Sequence, residues 1–305
     1  MQIGLYGLGR MGGNMARRLA RAGVRVHAFN RSVEVARAIA AEEPMVTAYD
    51  SLQALVQGMS GPRILWLMLP AGEPTQKAVD EVAAWLAPGD LLVDGANGYY
   101  KDAQRRAAGL AQRGIHFVDV GVSGGIWGLE YGYCLMAGGA PEAVARLAPY
   151  LQALAPAPDR GWLHAGPVGA GHFVKMIHNG IEYGMMQALA EGFALMQAKR
   201  EFDLDLAAIA EVWRHGSVVR SWLLDLTAEF LQADAALEAV VPHVADSGEG
   251  RWTAQEAIEQ GVPAPVITLA LMSRFASQGR GDFAHKLLAM MRKGFGGHAV
   301  VRGEA

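Results

Sequence analysis

Four polar side chains that can hold or move protons recur at helical spacing in the segment VKMIHNGIEYG, residues 174–184. Lys175, His178, Asn179 and Glu182 stand at offsets of 3, 4 and 7, which places them on one face of an α-helix. An amphipathic helix normally fills that face with apolar residues. The pattern therefore predicts either a solvated surface or a helix that lines a site.

Each of these residues alone has an ordinary explanation. A lysine in the middle of a helix is most often a solvated surface group, and a single histidine is more often structural. What favours a site is the set of four polar groups on one face, directly after the glycine-rich stretch GPVGAGH and downstream of a nucleotide-binding pattern. The polar face is therefore a candidate active site.

The opening of the chain contains that nucleotide-binding pattern. GLGRMG places Gly7, Gly9 and Gly12 in a G-x-G-x-x-G spacing, with an apolar strand pattern before it and a helix pattern and a second strand pattern, VRVHAF, after it. In this context the glycines permit a tight turn and a close backbone approach, and the helix N-terminus holds a pyrophosphate. The sequence predicts a dinucleotide cofactor; a plain glycine turn is the simpler alternative.

The end of the second strand pattern bears on which dinucleotide is bound. An NAD site usually places an acidic residue there to take the ribose 2′-hydroxyl. This chain has Asn30, Arg31 and Ser32 instead. Arg31 can pair with a 2′-phosphate, so NADP is favoured, although an arginine stacked on adenine would also suit NAD.

The elements that would position these groups change character along the chain. The first half alternates short apolar runs, turns and helical stretches, which is typical of βαβ units with a parallel sheet. The predicted strands are Gln2–Tyr6, Arg25–Phe29, Ile64–Leu69, Leu91–Asp94 and His116–Asp119. The predicted helices of this half are Gly13–Ala22, Val33–Ala41 and Thr75–Trp85.

After Gly166 the sequence becomes rich in Ala, Leu and Met and has few strand signals, so Phe173–Lys199 and Asp205–His215 are predicted helices. The predicted fold class is α/β: an N-terminal Rossmann-type, doubly wound parallel sheet followed by an all-α C-terminal domain. The predicted domains are a dinucleotide-binding domain over residues 1–166 and an all-helical domain over residues 167–305.

Composition excludes several classes of protein. The 305 residues are 51% hydrophobic and 19% charged, and a net charge of -3 without a long basic run disfavours nucleic acid and membrane surfaces as partners. Cys134 is the only cysteine, so an intramolecular disulfide is impossible, and its apolar surroundings predict a buried strand thiol. A start on MQIGLYGLG leaves no room for a signal peptide, so we expect a cytoplasmic protein.

Together these motifs resemble one family, the decarboxylating 6-phosphogluconate dehydrogenases within the β-hydroxyacid dehydrogenase superfamily. The resemblance runs from GLGRMGGNMARRL through MLPAGEPT, DGANGYYKD and VSGGIWGLEYGYCLMAGG to GHFVKMIHNGIEYGMMQ and GEGRWTAQEAIEQGVP. A lysine and asparagine pair alone would indicate only the superfamily, whereas His178, Glu182 and Tyr183 point to the sugar-phosphate branch. The length resembles a short form whose helical domain would bind substrate and form a homodimer or homotetramer.

The resemblance implies which residues surround the two ligands. Substrate contacts are implied for Asn97, Ser123, Gly124, Gly125, His178, Asn179, Tyr183, Arg274 and, from a segment that could reach across a dimer, His298. Cofactor contacts are implied for Gly7, Leu8, Gly9, Arg10, Met11, Gly12, Asn30, Arg31, Ser32, Leu69, Pro70, Ala71, Thr75 and Asn97. No metal is expected.

One position departs from the family pattern. The lysine that binds the substrate phosphate in the family would fall at about Ser247, within DSGEGRW. A hydroxyl supplies a hydrogen bond but no charge. Either Arg274 and a partner-chain group bind the phosphate, or the substrate carries less charge.

The implied activity is the NAD(P)-dependent oxidative decarboxylation of 6-phosphogluconate to ribulose 5-phosphate and CO₂. A lysine desolvated in a cleft can be tuned toward neutral pKa, which suits Lys175 as the base at the C3 hydroxyl. Glu182 is then the acid that protonates C1 of the enediol left by decarboxylation. Two rival readings are a β-hydroxyacid dehydrogenase or semialdehyde reductase that does not decarboxylate, and a catalytically silent NAD(P)-binding protein.

Overall fold

The computed structural model describes residues 1–296 and 299–301. The chain separates into two compact units, one from Met1 to His178 and one that begins at Asn179. The division falls inside a long helix, whereas the sequence predicted a boundary after Gly166, at the end of the last strand. That predicted boundary stays a prediction.

The first unit is built on one sheet. Its strands are β1 (Gln2–Tyr6), β2 (Arg25–Phe29), β3 (Val46–Ala48), β4 (Ile64–Leu67), β5 (Leu91–Asp94), β6 (His116–Ser123), β7 (Cys134–Gly139) and β8 (Trp162–Gly166). In the described residues the order is β3-β2-β1-β4-β5-β6-β7-β8. The pairs from β3 to β6 are parallel, β7 is antiparallel to β6, and β8 is parallel to β7.

Helices cover both faces of this sheet. They are α1 (Arg10–Arg21), α2 (Val33–Glu42), α3 (Leu52–Gly58), α4 (Glu73–Ala83), α5 (Tyr100–Ala111), α6 (Gly128–Tyr131) and α7 (Pro141–Leu154). Side chains of one strand alternate between two apolar cores: Leu91 and Val93 join one, and Leu92 joins the other. This double burial explains why β4 and β5 are continuous apolar runs without polar alternation.

The predicted Rossmann-type sheet is confirmed, with three differences. The limits of β1, β2 and β5 match the predicted strands. The differences are the three strands β3, β7 and β8, which the sequence analysis did not assign; β7 is antiparallel to β6 in the otherwise parallel sheet. Strand β3 has only three residues, and β7 contains two glycines, so neither has a strong strand pattern.

The second unit is helical in its described residues, which confirms the all-α prediction. The long helix α8 (Ala170–Ala198) begins in the first unit and continues into this one. It is followed by α9 (Leu206–Trp213), α10 (Trp222–Ala233), α11 (Glu249–Gln260), α12 (Pro265–Ser277) and α13 (Asp282–Gly296). No helix in the described part of the chain is both long enough and apolar enough to cross a membrane.

Candidate active site

The glycine-rich loop after β1 leaves room for a ligand. A Cβ atom at Gly7 would lie 2.3 Å from the carbonyl oxygen of Met68, and one at Gly12 would lie 2.0 Å from the carbonyl oxygen of Gly7. At Gly9, the N-cap of α1, a Cβ would meet no atom within 4 Å. The outer two glycines therefore pack the turn, and the middle one opens a cradle at a helix N-terminus that suits the pyrophosphate of a dinucleotide.

The residues predicted to face the cofactor ribose follow β2. The side-chain oxygen of Asn30 accepts a hydrogen bond from the backbone N–H of Leu8 at 2.9 Å, which ties the end of β2 to the glycine-rich loop. Arg31 and Ser32 are exposed. Asn30 thus shapes the loop, and the guanidinium of Arg31 stands in solvent where a 2′-phosphate can approach.

The remaining candidates of the first unit follow β4, β5 and β6 at the same edge of the sheet. Leu69 to Ala71 follow β4, and Thr75, which is fully buried, holds this turn by donating its hydroxyl to the carbonyl of Pro70 at 2.7 Å. Asn97 is exposed after β5, and Ser123 is half-buried at the end of β6. The carboxyl ends of parallel strands form the usual ligand-binding edge of this fold.

Helix α8 is seated directly on the sheet because glycines remove side chains from the contact. A Cβ at Gly121 of β6 would lie 2.4 Å from the Cβ of Lys175, and a Cβ at Gly171 would lie 2.5 Å from the carbonyl oxygen of Asp119. Lys175 is consequently buried, with 7% of its surface exposed. A lysine this close to the sheet is not the solvated surface group that is the usual alternative.

Asp119 fixes the first turn of α8. Its carboxylate accepts hydrogen bonds from the backbone N–H groups of Gly169 at 2.6 Å and His172 at 2.8 Å. Burial raises the pKa of Asp119, while the charge of His172 and the hydrogen bonds lower it. An acidic side chain at a helix N-terminus also complements the helix dipole.

Lys175, His178 and Ser123 form a cluster within the first unit. The Nδ1 atom of His178 is 3.5 Å from the Nζ of Lys175, and its Nε2 atom is 3.4 Å from the Oγ of Ser123. These distances are longer than ordinary hydrogen bonds, as is common in active sites without bound ligands. The structure brings together three of the residues that the sequence predicted to surround the substrate.

Cys134 corrects the sequence analysis. It was predicted to be a buried strand thiol, but it is exposed, because it begins β7 at the open end of the sheet. It pairs with Ser123 across the antiparallel ladder. Partial burial raises the pKa of the thiol, and the positive charge of Lys175 acts in the opposite direction.

The second unit groups the residues expected at the substrate phosphate. The guanidinium of Arg274 lies 3.4 Å from the ring centroid of Tyr183 and donates to the carbonyl of Ala245 at 2.9 Å. The hydroxyl of Ser247 donates to the carboxylate of Glu249, which is 2% exposed, at 2.6 Å. Where the family has a lysine, this chain therefore presents a serine whose proton is already bonded to a buried carboxylate.

The other predicted residues are placed as follows. Along α8, Asn179 is buried and Glu182 is half-buried. His298 lies outside the described residues. In the described part of the chain, no three His, Cys, Asp or Glu side chains are grouped so that they could hold a metal ion.

Comparison with known proteins decides the family. Residues 2–164 match the NAD binding domain of 6-phosphogluconate dehydrogenase, and residues 171–299 match the C-terminal domain of 6-phosphogluconate dehydrogenase. The chain belongs to the 6-phosphogluconate dehydrogenase family. It is therefore an oxidoreductase of a family whose N-terminal domain binds NAD(P), as the sequence predicted.

Family members differ in length and in cofactor. The chain is 42% identical over 305 residues to the NAD⁺-dependent decarboxylating 6-phosphogluconate dehydrogenase of Haloferax volcanii, covering 99% of both chains. It is 37% identical over 288 residues to the NADP⁺-dependent decarboxylating enzyme of Bacillus subtilis, covering 90% of this chain but 61% of that one. The short form is thus shared with the first relative.

A solved structure of the family extends over the whole chain. The 6-phosphogluconate dehydrogenase of Plasmodium falciparum, studied in its apo form and with NADP⁺ or 6-phosphogluconate, has a TM-score of 0.82 and 26% identity. The similarity covers 100% of this chain and 67% of that chain. Both halves of this chain therefore have the fold of the 6-phosphogluconate dehydrogenase family.

Sequence reasoning missed the residues that support the site. Asp119, Asp94 and Arg106 are charged residues that are at most 4% exposed, and His172 is buried among them. The available signal was an aspartate at or near the end of an apolar strand run, in LLVDG and FVDVG. Such a carboxylate has no apolar role and must accept hydrogen bonds from the loop or helix that follows.

Proposed function

We propose that the protein catalyses the oxidative decarboxylation of 6-phosphogluconate to ribulose 5-phosphate and CO₂ with NADP or NAD as acceptor. The observation that carries the proposal is the seating of α8, which buries Lys175 beside His178 and Ser123 on the ligand-binding edge of a dinucleotide fold. NAD(P), when bound, accepts the hydride from C3 of the substrate. Residues of the chain must then accept and donate the protons of the reaction.

Lys175 is the proposed base. Its ammonium group must lose a proton before it can take the C3 hydroxyl proton, and the side chain lies buried against Gly121 of β6. The protonated lysine then donates to the C3 carbonyl oxygen, so the carboxylate of the 3-keto acid leaves as CO₂. His178 and Ser123 are proposed to hold substrate hydroxyls beside it.

Glu182 is the proposed acid for the last step. Loss of substrate C1 as CO₂ leaves an enediol that needs a proton at the former C2, the carbon that becomes C1 of ribulose 5-phosphate. Glu182 stands two turns after Lys175 on α8, about 10 Å along the helix, and both side chains are long enough to lean toward one extended sugar acid. Asn179, between them on the same face, and Asn97 are proposed to orient substrate oxygens.

Arg274 is the proposed phosphate ligand. Its stacking on Tyr183 and its bond to Ala245 fix the guanidinium plane while leaving further N–H groups to bind an anion. Ser247 is neutral and donates its hydrogen bond to Glu249, so this cluster carries less positive charge than a site with both arginine and lysine. A group from a partner subunit, with His298 as the candidate, is proposed to add to it.

NADP is the proposed preferred cofactor because Arg31 is exposed after β2, where no carboxylate of the Asn30–Ser32 segment repels a 2′-phosphate. Named relatives include both NAD⁺-dependent and NADP⁺-dependent enzymes. Initial rates with each cofactor measure the preference, and Arg31→Ala should weaken NADP more than NAD. A wild-type protein that strongly prefers NAD would contradict this assignment.

The experiment that tests the reaction measures reduced cofactor and CO₂ in one sample. Purified protein with 6-phosphogluconate should release one CO₂ for each cofactor reduced. Reduction without CO₂, or faster reduction with 3-hydroxyisobutyrate, would favour a dehydrogenase that does not decarboxylate. Cofactor binding without turnover of either acid would favour a silent binding protein.

We also propose that the protein acts in the cytoplasm.

A further inference from the structure

Arg106 of α5 joins three segments from a buried position. Its Nη1 atom pairs with a carboxylate oxygen of Asp94 at 2.7 Å, and both side chains are at most 1% exposed. Its Nη2 atom donates to the carbonyl of Gly72 at 3.2 Å, and its Nε atom donates to the side-chain oxygen of Gln76 at 3.1 Å. The planar guanidinium thus holds the end of β5 and the start of α4 in one fixed arrangement.

Asp94 carries this arrangement into the loop that follows β5. Its other carboxylate oxygen accepts from the backbone N–H of Ala96 at 3.1 Å, which shapes the turn before Asn97. Its backbone carbonyl is 3.1 Å from the Nε2 atom of His172, in the first turn of α8. A continuous set of buried and partly buried hydrogen bonds therefore runs from Gly72 to the helix that bears Lys175.

We propose that Arg106 and Asp94 are positioning residues that set the cofactor loop, residues 69–75, against the substrate residues Asn97 and Lys175. The inference rests on the proposed function, because that function makes these segments the cofactor and substrate sites. Neither residue is among those implied to contact the cofactor or the substrate. The pair holds the cofactor loop and the substrate segments in one fixed arrangement, and hydride transfer is sensitive to displacements of about 1 Å.

A second ion pair, at the other end of β5, supplies a matched control. Arg63 precedes β4 and Asp90 precedes β5, at the opposite edge of the sheet from the proposed site. The Nη1 atom of Arg63 is 3.0 Å from a carboxylate oxygen of Asp90, and that carboxylate also accepts backbone N–H groups of Arg63 and Ala87. Loss of this pair should disturb the starts of β4 and β5 without reaching the cofactor loop.

The test compares Arg106→Lys with Arg63→Lys. A lysine keeps the charge beside Asp94, but one ammonium cannot also reach Gly72 and Gln76 in a fixed plane. Arg106→Lys should raise the Kd of NADP about three- to tenfold, the effect of losing a hydrogen bond that orders a binding loop. It should also lower kcat about tenfold or more. Arg63→Lys should lower the melting temperature to a similar extent and leave Kd and kcat near the wild-type values.

The outcomes distinguish a failure of the positioning proposal from a failure of the proposed reaction. Equal changes of Kd and kcat in both variants at equal loss of melting temperature would mean that the Arg106 pair is only structural. If Arg106→Lys does not fold, Gln76→Ala keeps the ion pair and removes one acceptor, and an unchanged NADP Kd would overturn the proposal. If the wild type does not oxidise 6-phosphogluconate, the proposed reaction fails, while the Kd comparison still decides whether the pair positions the cofactor loop.

Discussion

Arg274 is both a packing residue of the second unit and the proposed phosphate ligand. It stacks on Tyr183, which is 4% exposed, and bonds the backbone at Ala245. Its plane is therefore fixed before any ligand arrives, which reduces the entropy lost on binding. Because these contacts also pack the second unit, the removal of Arg274 must be tested with two substrates, one with a phosphate and one without.

Substitution Arg274→Ala should raise the KM for 6-phosphogluconate roughly ten- to a hundredfold, since a charge-assisted contact contributes about 1.5–3 kcal/mol. The KM for gluconate, which has no phosphate, should change little. Initial-rate kinetics with both acids give the comparison. Equal loss with both would assign Arg274 to packing against Tyr183 instead of phosphate binding.

The single cysteine offers a test that begins with the wild-type protein. Partial burial raises the pKa of Cys134, so less thiolate is present at neutral pH than for a free cysteine. Its alkylation rate, followed by mass spectrometry, should be slow at pH 7 and should still be rising above pH 8.5, the usual thiol pKa. Lys175→Met removes the charge that lowers this pKa and should slow alkylation further.

Because Cys134 pairs with Ser123, 6-phosphogluconate should protect it from alkylation. Glutathione in the same buffer serves as the reference thiol. Fast alkylation of Cys134 at pH 7, or a rate that ignores 6-phosphogluconate, would contradict the placement of the substrate beside Ser123.

At the scale of elements, the glycine pattern and apolar runs were enough to predict the strands that carry the cofactor residues. What the sequence could not provide was long-range placement. Asp119 and Gly121 of β6 lie at least 50 residues before Gly171 and Lys175 of α8, and only the packing of α8 on β6 makes them part of one site. The exposure of Cys134 likewise depends on where β7 begins relative to β6, and apolar composition does not reveal this position.

The seating of α8 predicts opposite effects for two glycines of that helix. In Gly171→Ala, the new Cβ would lie 2.4 Å from the carbonyl oxygen of Met136, so the backbone must shift. We expect a loss of about 1–3 kcal/mol in the free energy of unfolding, and lower kcat because Lys175 moves. In Gly192→Ala the Cβ meets no atom within 4 Å, so the helix should gain about 0.5–1 kcal/mol.

Denaturant unfolding and initial rates measure both variants. The account of α8 would be wrong if Gly171→Ala were as stable and as active as the wild type. A destabilised Gly192→Ala would show instead that replacing a glycine of this helix is unfavourable even without a close contact, and the comparison would not be evidence for close packing.

At the scale of the whole molecule, the second unit exposes large apolar side chains. Ile258, Val266, Leu269 and Phe283 are each at least 65% exposed. A second copy of the chain is the proposed cover, because the resemblance implies that the helical domain forms the dimer. Light scattering should therefore give at least twice the chain mass of 32.5 kDa.

Leu269→Glu should shift this mass toward the monomer, since a charge at a closed apolar interface is unfavourable. Val35→Glu, on α2 of the first unit, is the control and should leave the mass unchanged. A wild-type mass of 32.5 kDa at micromolar concentration would contradict the proposed dimer.

The central claim is that one helix supplies both proton transfers of the oxidative decarboxylation. The most direct measurement is a single turnover of Glu182→Gln, in which reduced cofactor and ribulose 5-phosphate are followed over the same interval. The variant keeps the shape of Glu182 but has no proton to give. Reduced cofactor should form first, and ribulose 5-phosphate should lag by about 10²–10⁴ in rate, the usual cost of removing a general acid. If both products form together at the wild-type rate, Glu182 is not the acid and the claim is contradicted.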